Sequence, residues 1–135
     1  MKATRVLQKL GQSLWLDNIT RGLLKTGRLR RYIDEFSVTG LTSNPTIFDH
    51  AIRSGDYDDA IKSKLAQGTS GEQLLIELAL EDLTQAADLF GPIHDQTCGV
   101  DGWVCWKSRR CWRTTPNRRL PRPRISTRER SVPTS

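Results

Sequence analysis

Within this chain of 135 residues, the capacity to bury a core stops at one point. Up to residue 104 there are 11 Lys or Arg against 14 Asp or Glu; from 105 to 135 there are 10 against 1. The formal charge of +6 therefore joins a body of −3 to a tail of +9. The tail also takes four of the six prolines, and its aliphatic residues are Leu120, Ile125 and Val132. Such a composition cannot offset chain entropy by burial, which predicts disorder over 105–135. One small domain must come from residues 1–104. No run of eighteen apolar residues is present, so no membrane span is expected. Residues 1–10 alternate basic and apolar positions and lack the continuous apolar core of a secretory signal. Three cysteines, an odd number without an export signal, argue against a disulfide framework and for a reducing cytoplasm.

The body reads as strands alternating with helices. Ser13-Leu14-Trp15-Leu16 is a short apolar run closed by Asp17, as a buried strand requires. Helix-compatible residues follow from 18 to 36, with Leu29, Ile33 and Phe36 on one face. Val38-Thr39-Gly40-Leu41-Thr42 is a second strand, and the spacing allows a helical crossover between parallel neighbours. Asn44 and Pro45 mark the start of a helix over 46–53. Residues 57–67 form another, acidic early at Asp58 and Asp59 and basic late at Lys62 and Lys64. The spacing predicts a longer helix over 71–90, with a capping box from Ser70 and Gln73. Its apolar face is Ile76, Leu80, Leu83, Ala87 and Phe90, and Gly91-Pro92 is its stop. Residues 100–104 begin a third strand. The class is α/β with a parallel sheet.

Two polar groups close the strands. Asp17 ends the first, and Thr42, Ser43 and Asn44 end the second. In parallel α/β folds the carboxyl ends of the strands carry the chemistry. A carboxylate there can move a proton, and neighbouring hydroxyl and amide groups can hold substrate hydroxyls. Asp17 and Asn44 can instead serve as helix caps, and from spacing alone capping is the stronger reading.

The wording of these segments adds to the pattern. Leu10-Gly11-Gln12-Ser13-Leu14-Trp15-Leu16-Asp17-Asn18-Ile19 resembles the opening strand of transaldolases. Val38-Thr39-Gly40-Leu41-Thr42-Ser43-Asn44-Pro45-Thr46-Ile47-Phe48 resembles their second-strand signature. Glu77-Leu78-Ala79-Leu80-Glu81-Asp82-Leu83, with Ala86-Ala87-Asp88, resembles the helix before the third strand, and Gly99-Val100-Asp101-Gly102-Trp103-Val104 the start of that strand. The likeness covers residues 10–104 and is nearest to the longer bacterial members, some of which are fused to a glucose-6-phosphate isomerase domain. It implies that 1–104 are the N-terminal part of a (β/α)8 TIM barrel, about two and a half strands with their helices. The implied reaction moves a dihydroxyacetone unit from sedoheptulose 7-phosphate to glyceraldehyde 3-phosphate in the pentose phosphate pathway. It proceeds through a lysine Schiff base, with no metal or organic cofactor. The implied partners are sugar phosphates in the cytoplasm; oligomeric state is left open. By the same resemblance Asp17 is the catalytic proton-transfer group, Thr42 and Asn44 bind substrate, and Ser43 is a weaker candidate.

The resemblance breaks after Val104. Family members continue with a string like S-L-E-V-S-P-L-L-A-x-D-T, whereas this chain has Cys105-Trp106-Lys107-Ser108-Arg109-Arg110-Cys111-Trp112. Joining the third base of each codon to the first two of the next forces Leu, Glu and a later Leu, and permits L-E-V-S-P-L-L-A-D-D-T throughout. A shift of reading frame near Val104–Cys105 is the expected cause. It removes the family's third-strand glutamate, which helps position the catalytic water, and the Schiff-base lysine of a later strand. A barrel needs about 200 residues or more to close. The chain alone is therefore expected to be inactive and poorly folded, with Lys107 no substitute for the missing lysine. The alternative is a noncatalytic fragment whose arginine-rich tail, with Trp106 and Trp112, binds nucleic acid nonspecifically. Shifted GC-rich DNA yields the same residue types, so nucleic acid is the less favoured partner. A zinc site from His94, Cys98, Cys105 and Cys111 lacks any Cys-x-x-Cys pair and is weaker still. His94 and Cys98 read as loop residues, and Arg28, Arg30 and Arg31 as a solvated helix face in preference to a sugar-phosphate contact.

Overall fold

A computed structural model of the chain describes residues 2–107. The predicted disorder and nucleic-acid binding of the tail fall outside this range from residue 108 onward. Three short parallel strands stand in the order β1 (Trp15–Leu16), β2 (Gly40–Thr42) and β3 (Trp103–Cys105). Trp15 pairs with Gly40, and Leu41 lies between Leu16 and Val104. Around them lie α1 (Ala3–Lys9), α2 (Arg21–Lys25), α3 (Arg28–Phe36), α4 (Pro45–Ile52), α5 (Asp58–Ala66) and α6 (Gly71–Gln96). The family resemblance implies a barrel; the described residues form three neighbouring strands of a parallel sheet with their crossovers.

One face of the sheet carries the main core. Leu41 and Val104 are buried against Leu23, Leu29, Leu83, Ala86 and Phe90 of α2, α3 and α6. Burying side chains of this size contributes about 1.5–3 kcal/mol each. A second cluster, Tyr57, Leu74 and Leu78 with Phe48 and Ile52 against it, ties α4 and α5 to the start of α6. Gly40 lets the opposite face close up. A Cβ there would lie 2.5 Å from the ring of Trp15, which packs directly over the glycine.

Several expectations are corrected. The stretch 18–36 is two helices, because Gly27 adopts φ +70 and starts α3 afresh. Helix α6 does not stop at Gly91-Pro92 but runs on to Gln96. An interior proline costs about 3 kcal/mol; burial of Phe90 and packing of Ile93 on the core supply an offset of that order. The capping box is absent, since the Ser70 side chain makes no cap bond and Gln73 donates instead to Glu77 at 3.2 Å. Ile76 and Leu80 are only half-buried, whereas Leu74, Leu78 and Asp82 are buried. The third strand starts at Trp103 because Gly102 takes φ +83 just before it. Helix α1 has no buried residue; Lys2 to Glu35 and Arg5 to the Asp34 carbonyl, both 3.0 Å, tie it to α3. His94 lies in the last turn of α6, not in a loop, edge-on to Trp103 at 5.0 Å. Cys98 is an exposed free thiol.

Where Gly40 is closed in by a side chain, Gly102 is closed in by backbone. A Cβ there would sit 2.5 Å from the His94 backbone nitrogen, on a residue already at φ +83. Gly102→Ala is expected to cost on the order of 2–4 kcal/mol, from strain and overpacking together. Limited proteolysis of the full chain should then quicken by roughly tenfold or more, because cleavage follows the opened population.

Candidate functional site

The three candidate residues meet. Asp17 follows the last residue of β1, Thr42 is the last of β2, and Asn44 starts the next helix, so the parallel register brings them to one rim. Thr42 Oγ1 donates to Asp17 Oδ1 at 2.7 Å, and Asn44 Nδ2 to Asp17 Oδ2 at 3.3 Å. Asn44 works in two directions, since its Oδ1 accepts from the backbone N–H of Thr46 (3.1 Å) and Ile47 (3.3 Å) and caps α4. Asp17 is not a helix cap. Thr20 fills that role for α2, its hydroxyl accepting from Leu23 N–H at 3.1 Å. The carboxylate is left half exposed, and the polar groups around it are donors aimed at its oxygens.

Lys107 is the contact that sequence reasoning set aside. Its backbone N–H donates to Ser43 Oγ at 2.7 Å, and its ammonium lies 3.1 Å from Asp17 Oδ2. Ser43 is itself buried, with its N–H donating to the Cys105 carbonyl at 2.9 Å. Its role is to fasten the end of β3 to the end of β2. The Thr42 hydroxyl, then Lys107 and last Asn44, hold the Asp17 carboxyl below its ordinary value against the opposing effect of desolvation. Asp17 is therefore ionised through neutral pH and suited to accept a proton. Its stabilising contacts are fully present above the ordinary value and are lost as pH falls through the lowered one. Lys107→Met is expected to move the Asp17 titration upward, with Thr42 and Asn44 still restraining it. Carboxyl-carbon NMR titration of the full chain checks this, and an unchanged midpoint would mean that the ion pair does not form in solution.

Beside the rim, an apolar groove of about 310 Å³ runs between α4 and α6, lined by Ile19, Asn44, Phe48, Ile52, Leu75, Ile76, Leu83 and Trp106. Asp17 and Thr42 are not in its lining, so this groove lies next to the polar cluster and not over it. Asp82 is 1% exposed at the groove floor, but it is engaged by Arg21 Nε at 2.9 Å and Tyr57 OH at 2.6 Å. Burial pushes its carboxyl up against the pull of both donors. This reads as an internal brace. The arginines of α3 are exposed, and Arg31 is paired with Glu35. Among the described residues no group of three or more His, Cys, Asp or Glu is placed to hold a metal, and no helix is long and apolar enough to cross a membrane. Cys111 of the considered zinc set lies outside the described residues.

Residues 14–107 match the family model described as transaldolase/fructose-6-phosphate aldolase. A transaldolase of Arthrobacter sp. (strain FB24) is 46% identical over 102 residues, covering 75% of this chain and 28% of that relative. A transaldolase of Thiobacillus denitrificans is 39% identical over 105 residues, 77% of this chain and 29% of the relative. One of Trichodesmium erythraeum is 34% identical over 99 residues, 73% and 26%. The matched part thus spans a little over a quarter of these relatives.

Proposed function

The chain belongs to the transaldolase/fructose-6-phosphate aldolase family, and from that premise we propose that residues 14–104 are the opening strands of a transaldolase barrel. The observation that carries this reading is the Asp17 carboxylate, held by Thr42 and Asn44 across the ends of two neighbouring parallel strands. In the proposed reaction a lysine amine of a later strand attacks the ketose carbonyl and loses water to give a Schiff base. Asp17 takes the proton of the hydroxyl at the carbon–carbon bond that breaks. The aldose leaves, the three-carbon unit remaining on the lysine adds to the acceptor aldose phosphate as the proton returns, and water then hydrolyses the new Schiff base to release the ketose phosphate and the free lysine. Thr42 and Asn44 keep the carboxylate ionised and oriented, and they offer hydrogen bonds to substrate once it displaces part of this shell.

Lys107 is not the Schiff-base amine in this reading. It belongs to the segment after the change of composition, and its side chain is engaged by Asp17 at 3.1 Å. The family match ends at Lys107, close to the change of composition, which supports a frame shift near Val104–Cys105 as the origin of the basic segment. Reading the coding DNA across that point should reveal the barrel continuation in the shifted frame; its absence would reject the shift.

Two assays separate the parts of the proposal. The full chain, given sedoheptulose 7-phosphate and glyceraldehyde 3-phosphate, is expected to show no turnover above the blank. Turnover would overturn the claim of inactivity. A chimera in which residues 14–104 replace the matched stretch of the Arthrobacter transaldolase is expected to be active. A folded but inactive chimera would reject the assignment of the site.

A further inference from the structure

The groove between α4 and α6 lies at the seam of the two apolar clusters. Ile19 and Leu83 come to it from the main core, and Phe48 and Ile52 from the side of the second cluster. Ala79, buried between them on α6, contributes only a methyl group, so the seam is not filled. Leu75, 43% exposed, stands on the wall. A volume of about 310 Å³ is at the small end of the range for ligand pockets. Water in such a space finds few polar partners and is readily displaced by an apolar group. Charge narrows the choice of ligand. The described lining holds three carboxylates, Asp49, Glu72 and Asp82, and no Lys, Arg or His. Asp82 is satisfied from within by Arg21 and Tyr57, and Asp49 pairs with Arg53 at 3.2 Å on the surface. Glu72, exposed in the first turn of α6, makes no ion pair or side-chain hydrogen bond among the described residues.

We propose that this groove is a binding site for a small amphiphilic amine, an aromatic or branched body of about ten to fifteen non-hydrogen atoms with one ammonium group. The body lies against Phe48, Leu75 and Ala79. The ammonium stays at the mouth beside Glu72, where water still reaches it, because a charge taken inside would need full pairing. The sugar phosphates of the proposed reaction do not fit here. Their phosphate would meet carboxylates and no cation, and their hydroxyls would face apolar walls. The site is thus separate from the Asp17 rim in its chemistry, although Asn44 borders both. It goes beyond the proposed reaction, and its test needs neither substrate nor turnover.

The test titrates the full 135-residue chain with tryptamine, and in parallel with indole-3-propionate, which carries a carboxylate in place of the ammonium. Calorimetry is expected to show one tryptamine site with Kd of about 0.1–1 mM, as a ligand of this size allows. Ala79→Leu, a good helix former that fills the floor, should weaken it at least about tenfold. Circular dichroism matched to the parent keeps that comparison about the groove. Only the binding that Ala79→Leu removes is compared between ligands, so anions held by the basic segment after residue 107 do not enter. In that part tryptamine should be favoured about five- to tenfold, and Glu72→Gln should narrow the preference at least about twofold, the effect of one exposed charge pair. At ten times its Kd, tryptamine should slow limited proteolysis about tenfold, because it binds the folded body alone. No slowing, or equal slowing by indole-3-propionate, would overturn the proposal whether or not the chain folds well unaided. So would undiminished tryptamine binding by Ala79→Leu. Self-association of the chain that Ala79→Leu abolishes would make the groove a contact between copies and likewise overturn it.

Discussion

Asp82→Ala in the active chimera is expected to remove about 3–5 kcal/mol of stability, the range for breaking a buried ion pair by deleting one partner. Domains of ordinary size are stable by only about 5–15 kcal/mol, so this one side chain holds a large share. The reason lies in what the deletion strands. Asp82 is 1% exposed, and its two oxygens accept from Arg21 Nε and Tyr57 OH. Arg21 in turn lies over the Tyr57 ring at 4.7 Å, and its backbone N–H donates to the tyrosine oxygen at 2.8 Å. Removing the carboxylate leaves a guanidinium and a phenol buried with reduced partnering. The neighbouring Arg21–Glu81 contact, with Glu81 44% exposed, provides the contrast. Glu81→Gln should cost less than about 1 kcal/mol, because an exposed pair is screened by solvent. Urea unfolding of the two variants separates these values. Equal midpoints would show that the Asp82 brace contributes no more than a surface pair.

The same residue shows where sequence reasoning stops. The periodic face read along α6 placed Leu83, Ala87 and Phe90 correctly but did not include Asp82. Asp82 is inside because Arg21 and Tyr57, 61 and 25 residues away in sequence, meet it there. No local pattern encodes such a meeting. Local chemistry was legible where it acts over a few residues: Asn44 caps its helix and Pro45 opens it. It misled at Pro92, where packing of the flanking Phe90 and Ile93 outweighs a lost backbone bond. The candidate site was legible because parallel strands align their ends, so Asp17 and Thr42 had to be neighbours once both strands were found. Lys107 was not, since the change of composition seemed to end the fold before it. Strand β3 nevertheless includes Cys105, and the Ser43 hydroxyl pins the residue that follows Trp106.

Asp17→Asn in the same chimera is expected to lower kcat by about 10²–10⁴-fold, the usual contribution of a positioned acid–base group, with little change in KM. Asparagine keeps the shape and can still accept from Thr42, but its amide cannot take up a proton. Folding should survive, because the carboxylate is half exposed and caps no helix. Asn44→Ala makes the complementary case. It removes the donor to Asp17 and also the cap of α4, so a stability loss of about 1 kcal/mol should accompany its kinetic effect. Asn44→Asp retains the capping acceptor while placing a second carboxylate beside Asp17, which should raise the Asp17 pKa by like-charge repulsion. The acid limb of kcat/KM reports this directly. Ionised Asp17 is the active form, so activity falls as pH drops through its pKa, which the hydrogen bond from Thr42 and, less, that from Asn44 hold down. In Asn44→Asp it should move upward. A limb that stays fixed while Asp17→Asn retains full kcat would mean that the carboxylate only braces the rim and that proton transfer belongs to another residue.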